Sequence, residues 1–195
     1  SKYVDAFETS YYNAYLGAIN TEGVIEPTLL KEHPDWSIEA LPFDSYSPLT
    51  AGTRGNGIGG LKLMSDNHYY GCCACIGAAG LGLVPRMTLL STKTGLVWNL
   101  FLEGQITTLT PEGKELTLSV DTKYPVEGSV RMTLFLKEEE SFEFLVRIPG
   151  WSKETFLNVN GEAVDSVGTD TGYAVLNRTW KNGDVVELTL DMRTE

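Results

Sequence analysis

The sequence predicts a mixed fold in which a helical, loop-rich segment, residues 1–85, precedes an antiparallel β-sandwich, residues 86–195. Three observations support this division. Apolar residues near the N-terminus recur every three or four positions, which is the period of an amphipathic helix. From Leu96 onward they recur every second position, which is the period of a strand with one buried face. Turn dipeptides such as Asn160-Gly161 and Asn182-Gly183 separate the later strands.

The helical segment begins with a predicted amphipathic helix over residues 3–19. Its apolar stripe consists of Val4, Phe7, Tyr11, Tyr15 and Ala18. Residues 20–67 show no clear period and contain many prolines and glycines. A loop of this length is rare in a compact domain unless it is functional or packs against something that is absent. A short buried helix is then expected to start near Cys73 and to end at Pro85.

The sandwich is predicted from about eight short strands. Four of them alternate clearly between apolar and polar residues, namely residues 115–121, 129–136, 142–148 and 185–192. Short strands at regular spacing, separated by turn residues, are typical of an antiparallel sandwich.

The charge balance excludes two classes of partner. The chain has 195 residues, and 15 basic against 26 acidic residues give a formal net charge of −11. Nucleic acids and anionic membrane surfaces bind basic faces, so we expect neither as a partner. The sequence also lacks an apolar run long enough to span a bilayer and the features of a signal peptide. Because it begins with Ser1, we expect it to be a piece of a longer polypeptide, and it leaves open whether the protein forms a homodimer.

The three cysteines lie within four residues, at Cys72, Cys73 and Cys75. An extracellular disulfide framework would spread its cysteines through the chain, so the cluster favours reduced thiols and a cytoplasmic location. Three interpretations stay open. Cys72 and Cys73 could belong to a zinc site, with His68 as a further ligand, because thiolates are soft ligands that suit zinc. Cys72 and Cys75 have the spacing of a redox pair, and all three cysteines could instead be small buried apolar residues.

The predicted sandwich offers few catalytic candidates. One predicted hairpin turn carries three successive carboxylates, which we expect to be solvated: Glu138, Glu139 and Glu140. Three tryptophans could stack on sugar rings, but large aromatic side chains are more often buried for their apolar area. Packing is therefore the favoured interpretation for Trp98, Trp151 and Trp180.

Several stretches carry signatures that are informative when they are read together. They are residues 3–13 (Y-V-D-A-F-E-T-S-Y-Y-N), 72–81 (C-C-A-C-I-G-A-A-G-L), 144–151 (F-L-V-R-I-P-G-W), 159–161 (V-N-G) and 178–184 (R-T-W-K-N-G-D). In order and spacing, over nearly the whole chain, they resemble the C-terminal part of the DUF1680 proteins. These are the glycoside hydrolase family 127 type known as β-L-arabinofuranosidases.

The resemblance implies a fold and a partner. Residues 1–85 would be the C-terminal part of an (α/α)6 barrel, a helix plus a long loop, and residues 86–195 a β-sandwich behind it. The upstream catalytic barrel of the same polypeptide would be the partner of this chain. Its absence here would explain why the long loop shows no period of its own.

The resemblance also implies a retaining glycoside hydrolase acting on β-L-arabinofuranosides or related plant-glycan sugars. In the family, one cysteine of the adjacent pair attacks the anomeric carbon, and zinc is held by a glutamate and three cysteines that include this nucleophile. A separate glutamate is the general acid/base. By position, Cys72 corresponds to the nucleophile and Cys73 to its neighbouring zinc ligand. Glu8 corresponds to a glutamate that contacts the substrate, and Tyr46 to a tyrosine on the substrate side.

The resemblance leaves part of the site outside this chain. The acid/base glutamate and two zinc ligands lie upstream of Tyr3 in the family, so we expect the chain alone to be inactive. Cys75 matches no family ligand and is interpreted as structural. Better-studied members have a cysteine where this chain has Tyr70, so the sugar stays open. For Glu8, the alternative is an exposed helix charge. The competing hypotheses for the chain are a non-catalytic carbohydrate-binding or structural module and a thiol redox protein that uses Cys72 and Cys75.

Overall fold

The computed structural model describes residues 1–16, 62–63, 69–70, 72–164 and 171–193, and for residues 62–63, 69–70 and 72–75 it describes the backbone only. The described residues fall into two compact units. The first unit is formed by Ser1–Asp5 and Pro85–Glu195, and the second by Ala6–Val84. The boundary between them falls inside the first helix, α1 (Lys2–Thr9).

The predicted N-terminal helix consists of two parts. α1 is followed directly by a π-helical segment, Ser10–Tyr15. Of the predicted apolar stripe, Val4 is buried, Phe7, Tyr11 and Tyr15 are partly buried, and Ala18 lies outside the described residues. The stripe is therefore confirmed as far as it is described, although the helix does not keep one period along its length. The Ser10 hydroxyl donates to the Ala6 carbonyl (2.8 Å), a bond that competes with the regular helical pattern at this transition.

The second helix, α2 (Cys72–Thr88), corrects two details of the prediction. It starts at the expected place, but Pro85 lies inside it instead of ending it. Proline removes one backbone donor and disfavours a helical residue before it, and here the helix continues for only three residues beyond it. The helix is also not generally buried, since Ile76, Leu81 and Leu83 are exposed while Val84 and Thr88 are buried.

The strands of the described residues form three sheets. In chain order they are β1 (Lys62–Leu63), β2 (Tyr69–Tyr70), β3 (Leu89–Ser91), β4 (Gly95–Trp98), β5 (Gly104–Leu109), β6 (Glu115–Thr122), β7 (Ser129–Leu136), β8 (Glu140–Arg147), β9 (Phe156–Val159), β10 (Glu162–Ala163), β11 (Tyr173–Trp180) and β12 (Val185–Thr189). β1 and β2 form a two-stranded sheet by themselves. The six-stranded sheet has the order β10-β9-β12-β7-β6-β5, and the four-stranded sheet has the order β11-β8-β4-β3.

The two larger sheets share one hydrophobic core, as a β-sandwich requires. The core combines alternate residues of the six-stranded sheet with alternate residues of the four-stranded sheet, such as Leu118, Met132, Phe144 and Trp98. The period-two pattern of the sequence therefore predicted the buried face of these strands correctly. It arises because only one face of each sheet lies in the core.

One strand pairing differs from the predicted antiparallel arrangement. β4 runs parallel to β8, with Leu96 opposite Phe144 and Trp98 opposite Val146. The chain between these strands forms β5, β6 and β7 of the other sheet before it returns. Parallel neighbours need such a long crossover, and a local sequence pattern does not reveal it.

Candidate functional site

The three cysteines lie in the first turn of α2, where Cys72 is the first helical residue. The positive end of the helix dipole favours a negative charge at this position. The side chains of all three cysteines lie outside the described residues, as do Tyr46 and His68. The expected helix start is confirmed, whereas the roles assigned to these residues stay predictions.

A tyrosine of the N-terminal helical segment contacts the cysteine-bearing helix. The Tyr15 hydroxyl donates to the Gly77 carbonyl of α2 (2.7 Å). A side-chain carbon built at Gly77 would lie 3.6 Å from the Tyr15 hydroxyl oxygen, and one at Gly80 would lie 3.9 Å from the same ring. The glycines of the C-C-x-x-x-G-x-x-G-L signature therefore lie on the face of α2 that receives Tyr15. The Tyr15 ring also stacks on Tyr11 with a centroid separation of 5.9 Å.

Glu8 lies on α1 and is 3% exposed. The interpretation of Glu8 as an exposed helix charge is therefore wrong. Val4, four residues earlier on α1, is also buried. Residues four positions apart lie on the same face of a helix, so Glu8 belongs to the buried face of α1. A buried carboxylate requires polar partners or a neighbouring positive charge. Buried carboxylates are therefore unusual outside ion pairs and functional sites.

An ion pair between a buried arginine and a partly exposed aspartate joins the first helical signature to the sandwich. The side chain of Arg147, at the end of β8, has no exposed surface, and its Nη1 donates to Asp5 Oδ1 at 2.7 Å. Arg147 Nε donates to the Asn99 carbonyl at 2.6 Å. The guanidinium also lies 5.3 Å from the centre of the Phe101 ring. Both charged residues belong to the quoted signatures, but they are far apart in sequence and nothing in the local pattern predicts their contact.

Tyr173 extends this network from the neighbouring strand. It lies opposite Arg147 in the β8–β11 register, and its hydroxyl donates to Asn99 Oδ1 at 2.8 Å. Partial burial raises the pKa of Tyr173, the Asp5 charge adds to this effect, and Arg147 opposes it. The side chain of Asn99 is thus fixed by Tyr173, while the carbonyl of the same residue accepts the Arg147 bond.

The V-N-G and R-x-W-x-x-G-D signatures meet at one pair of turns. Asn160 and Gly161 both have positive φ, 54° and 80°, as a tight hairpin turn requires. Asp184 accepts from Asn160 Nδ2 at 2.9 Å and from the Lys181 backbone at 2.9 Å. Asn160 Oδ1 in turn accepts from the Val185 backbone. These signature residues therefore brace the sheet and carry no evident chemistry.

The tryptophans of the sandwich are mainly core residues, as predicted. Trp98 and Trp180 have no exposed surface, and their indole N–H groups donate to the carbonyls of Leu100 and Phe142. Neither can therefore stack on a sugar. Trp151 is 37% exposed and stacks on Tyr124 with the ring planes 12° apart.

The three carboxylates of the β7–β8 turn do not share one environment. Glu138 and Glu139 are exposed and lie within ion-pair distance of Lys114 and Lys181. Glu140 is 4% exposed, and its Oε1 accepts from the Glu112 backbone. The prediction of a solvated turn is correct for the first two and wrong for Glu140, because that residue begins β8 on the core side.

The described residues contain neither a metal-binding cluster nor a helix that could span a membrane. Within the described ranges, no three histidine, cysteine, aspartate or glutamate residues come together in a group that could hold a metal ion. No described helix combines the length and the apolar character needed to cross a membrane.

The chain is similar to solved glycoside hydrolases over most of its length. It aligns with Ara127N-Se, a GH127 β-L-arabinofuranosidase from Geobacillus stearothermophilus T6, at 23% identity and a TM-score of 0.67, covering 97% of this chain and 28% of that one. It aligns with a protein titled glycoside hydrolase at 28% identity and a TM-score of 0.63, covering 97% of this chain and 29% of that one. It also aligns with BT3674, a GH127 β-arabinofuranosidase, at 26% identity and a TM-score of 0.54, covering 63% of this chain and 22% of that one.

This chain thus spans less than a third of the length of those proteins. No curated protein sequence matches it significantly. The family description "Beta-L-arabinofuranosidase, GH127 middle domain" matches residues 95–192, which is half of the chain and includes both larger sheets from β4 onward. The chain therefore belongs to glycoside hydrolase family 127, and its β-sandwich is the family's middle domain.

Proposed function

We propose that this chain is part of a retaining, zinc-dependent glycoside hydrolase that acts on β-L-arabinofuranosides or related plant-glycan sugars. The observation that carries the proposal is the family match to the middle domain, in a chain that also has an adjacent cysteine pair at the start of a helix. None of the described side chains of the middle domain has an assigned chemical role. We therefore assign the chemistry to the helical residues that precede it.

Cys72 is the proposed nucleophile. Its thiolate attacks the anomeric carbon, the glycosidic bond breaks, and a glutamate in the remainder of the polypeptide protonates the departing oxygen. In the second step the same glutamate takes a proton from water, the water oxygen attacks the anomeric carbon, and the carbon–sulfur bond breaks. Two inversions at the anomeric carbon return the sugar with its original configuration.

Cys72 and Cys73 would hold zinc together with a glutamate and a further cysteine from the rest of the polypeptide. Their chemistry fits this metal, because thiolates are preferred zinc ligands and the first turn of α2 favours negative charge. When bound, zinc keeps its cysteine ligands deprotonated at neutral pH and helps the sulfur to leave. Cys75, three residues after Cys72 on α2, has no assigned role in this chemistry.

Glu8 is the proposed substrate-side carboxylate, and Tyr46 a proposed substrate-side hydroxyl. The burial of Glu8 supports a specific role, since burying a charged side chain costs free energy and is seldom found outside ion pairs and functional sites. An (α/α)6 barrel would include the helical residues and would supply the acid/base glutamate. Because the acid/base glutamate and two zinc ligands would come from the rest of the polypeptide, we expect this chain alone to be inactive.

The proposal is tested by aryl-glycoside hydrolysis with the complete polypeptide, using a panel of pentosides and hexosides. We expect turnover of aryl β-L-arabinofuranoside with retained configuration. Cys72→Ser should lower kcat by at least ~1,000-fold, as loss of a nucleophile does. Cys75→Ser is the matched control and should stay near the wild-type rate. Turnover that survives Cys72→Ser, or that Cys75→Ser abolishes equally, would contradict the assignment.

Metal content gives an independent test. The purified complete polypeptide should contain one zinc ion per chain by elemental analysis. Cys72→Ser and Cys73→Ser should each reduce zinc occupancy, whereas Cys75→Ser should leave it unchanged. Full zinc occupancy in the Cys73→Ser variant would overturn the ligand assignment without affecting the nucleophile.

The alternative of a non-catalytic carbohydrate-binding module depends on one observation, the exposed face of Trp151. It predicts that the 195-residue chain binds plant glycans in affinity electrophoresis and that Trp151→Ala abolishes the binding. Glycan binding that depends on Trp151, together with no glycoside turnover by the complete polypeptide, would favour the alternative. Exposed Phe156 is the matched control, since Phe156→Ala should not change such binding.

A further inference from the structure

We infer that Tyr15 is a positioning residue for the active site, because its hydroxyl holds the helix that begins with Cys72 against the helical segment that carries Glu8. The inference rests on the proposed functions of Cys72 as the nucleophile and of Glu8 as a substrate-side carboxylate. Tyr15, Glu8 and the contacted part of α2 all belong to one compact unit, Ala6–Val84. Tyr15 lies outside every signature that carries the family resemblance, so the resemblance assigns it no role.

The π-helical segment places Tyr15 and supports its ring. α1 runs directly into Ser10–Tyr15, and the backbone amide of Leu16 donates to the Tyr11 carbonyl, five residues earlier, as in a π-helix. Such turns are rare overall and frequent at functional sites. The Tyr15 ring stacks on the Tyr11 ring, with the centroids 5.9 Å and the planes 15° apart. The ring is therefore supported on one side while its hydroxyl reaches α2.

α2 offers a matching surface to this ring. A side-chain carbon built at Gly77 would lie 3.7 Å from Cε2 of Tyr15, and one built at Gly80 would lie 3.9 Å from the same atom. Residues three positions apart share a helix face, so the two glycines form one shallow seat for the ring. Glycine weakens a helix interior, and this close contact is a physical reason for two glycines on one face. A larger side chain at either position would push the ring away.

The hydrogen bond from Tyr15 adds to α2 without breaking it. An interior carbonyl of an α-helix accepts from the amide four residues later and retains a second lone pair. The Tyr15 hydroxyl donates to the Gly77 carbonyl at 2.7 Å, between residues 62 positions apart. Because a hydrogen bond has a narrow range of distance and angle, it fixes the two helical segments more closely than ring contact alone. We call this link the Tyr15 clasp.

The Tyr15 clasp connects two groups with proposed chemical roles. Glu8 lies on α1, which is continuous with the π-helical segment that ends at Tyr15. Cys72 is the first residue of α2, and Gly77 lies between one and two turns further along the same helix. A helix is stiff over this length, so a shift at Gly77 also moves the first turn of α2. A reacting group misplaced by about 1 Å can lose on the order of 100-fold in rate.

The main experiment measures kcat and KM for aryl β-L-arabinofuranoside with the complete polypeptide carrying Tyr15→Phe. The change removes the hydroxyl and keeps the ring between Tyr11 and the two glycines. We expect kcat to fall ~10- to 100-fold, as for residues that orient a site from behind its reacting groups. KM should change much less, because the clasp gives Tyr15 no contact with the substrate. Circular dichroism and the melting temperature are the fold controls.

Tyr11→Phe is the matched control. It removes a hydroxyl from the same π-helical segment, and the described residues include no hydrogen-bond partner for that hydroxyl. Its kcat and KM should equal those of the wild type. An equal loss of kcat in Tyr11→Phe and Tyr15→Phe would overturn the inference, because the effect would then come from the segment in general. A lower melting temperature with unchanged kcat and KM in Tyr15→Phe would overturn it too, since Tyr15 would then be only structural.

Gly77→Leu tests the clasp from the other helix. Leucine favours a helix more than glycine does, so α2 should not lose helical stability. The leucine side chain takes the space of the Tyr15 ring, and kcat should therefore fall at least as far as in Tyr15→Phe. Adding Tyr15→Phe to Gly77→Leu should lower kcat little further, because both changes break one contact. Losses that multiply in the double variant would contradict the inference.

Amide hydrogen exchange separates this inference from the proposed function. Followed by mass spectrometry in the complete polypeptide, it reports on α2 whether or not any glycoside is hydrolysed. Tyr15→Phe should accelerate exchange of the α2 amides ~5-fold, the effect of one lost hydrogen bond, and leave the β6 and β7 amides unchanged. Unchanged exchange of α2 would refute the clasp. Faster exchange of α2, with no glycoside turnover by the wild type, would refute the proposed function and, with it, the positioning role of Tyr15.

Discussion

Arg147 and Arg131 each pair with a carboxylate of the same compact unit, but only Arg131 is exposed to water. Arg147 has no exposed surface and contacts Asp5, which is itself 23% exposed. Arg131 is 51% exposed and contacts Glu187, which is 37% exposed. The two pairs have the same chemistry and differ in burial. The comparison indicates that an ion pair stabilises this protein more strongly when the loss of one partner would leave the other charged group buried and unpaired.

The outer faces of the sheets around the two arginines differ in polarity. Across the four-stranded sheet, the row that follows Arg147 on its face reads Val175, Leu145, Val97 and Leu90 in register. Across the six-stranded sheet, the row of Arg131 reads Asp121, Arg131, Glu187 and Asn158. The second row is charged or polar, which is typical of a face in contact with water, whereas the first row is apolar, with Val175 and Leu90 exposed at its ends.

The largest effect is expected when the buried pair is broken. Arg147→Met removes the positive charge beside Asp5 and the hydrogen bonds that Arg147 donates to Asp5 and to the Asn99 carbonyl. The free energy of unfolding should therefore fall by about 3 kcal/mol or more. Urea unfolding of the 195-residue chain, followed by tryptophan fluorescence, measures the change. A loss below about 1 kcal/mol would show that water solvates Asp5 when its partner is removed. The burial of Arg147 would then not increase the contribution of this ion pair to stability.

The next effect concerns Tyr173, which braces the same network without a charge. Tyr173→Phe removes one hydroxyl donor and leaves Asn99 Oδ1 without it, so we expect a loss of about 1–2 kcal/mol in the same unfolding experiment. A loss as large as that of Arg147→Met would mean that the hydrogen bond to Asn99, and not the ion pair, holds the network together.

Tyr173 also gives the network a defined pH dependence. Burial raises the pKa of Tyr173 above its ordinary value of 10.0. The folded state therefore favours the neutral phenol, and its contribution to stability is complete below pH 10 and is lost as the pH rises through the folded pKa. Difference titration near 295 nm, wild type against Tyr173→Phe, should show one phenol ionising above pH 10. Ionisation of that phenol below pH 10 would contradict the prediction.

Comparison of the two arginines also shows what a sequence can predict here. The strands β6, β7, β8 and β12 follow from period two alone, since each has one face in the core. The start of α2 at the cysteines also follows from local signals. The Asp5–Arg147 contact does not, because it joins residues 142 positions apart and depends on the sheet order. The parallel β4–β8 pairing could not be predicted for the same reason. The prediction for Glu140 was wrong because a turn pattern does not show which turn residue faces the core.

A small effect is expected at the exposed pair. Arg131→Met should lower the free energy of unfolding by no more than about 0.5 kcal/mol, because water solvates Glu187 when its partner is removed. The difference between wild type and variant should vanish in about 1 M salt, where exposed charges are screened. A salt-independent loss above about 1 kcal/mol would indicate lost packing of the arginine stem and would weaken the contrast with Arg147.

The smallest effect on stability is expected at a third arginine, which pairs with a carboxylate at the end of the described chain. Hydrogen bonds from Arg193 lower the pKa of Asp191 to about 2. This pairing contributes stability above the unfolded pKa of aspartate, about 3.9, and the contribution is lost as the pH falls through about 2. A carboxyl-detected NMR titration should place the Asp191 midpoint near 2 in the wild type and closer to the unfolded value in Arg193→Gln. Lys123→Gln, which changes an exposed cation paired with Glu127, should leave that midpoint unchanged. An Asp191 midpoint near 3.9 in the wild type would mean that this pair, whose arginine is 70% exposed, is not formed in solution.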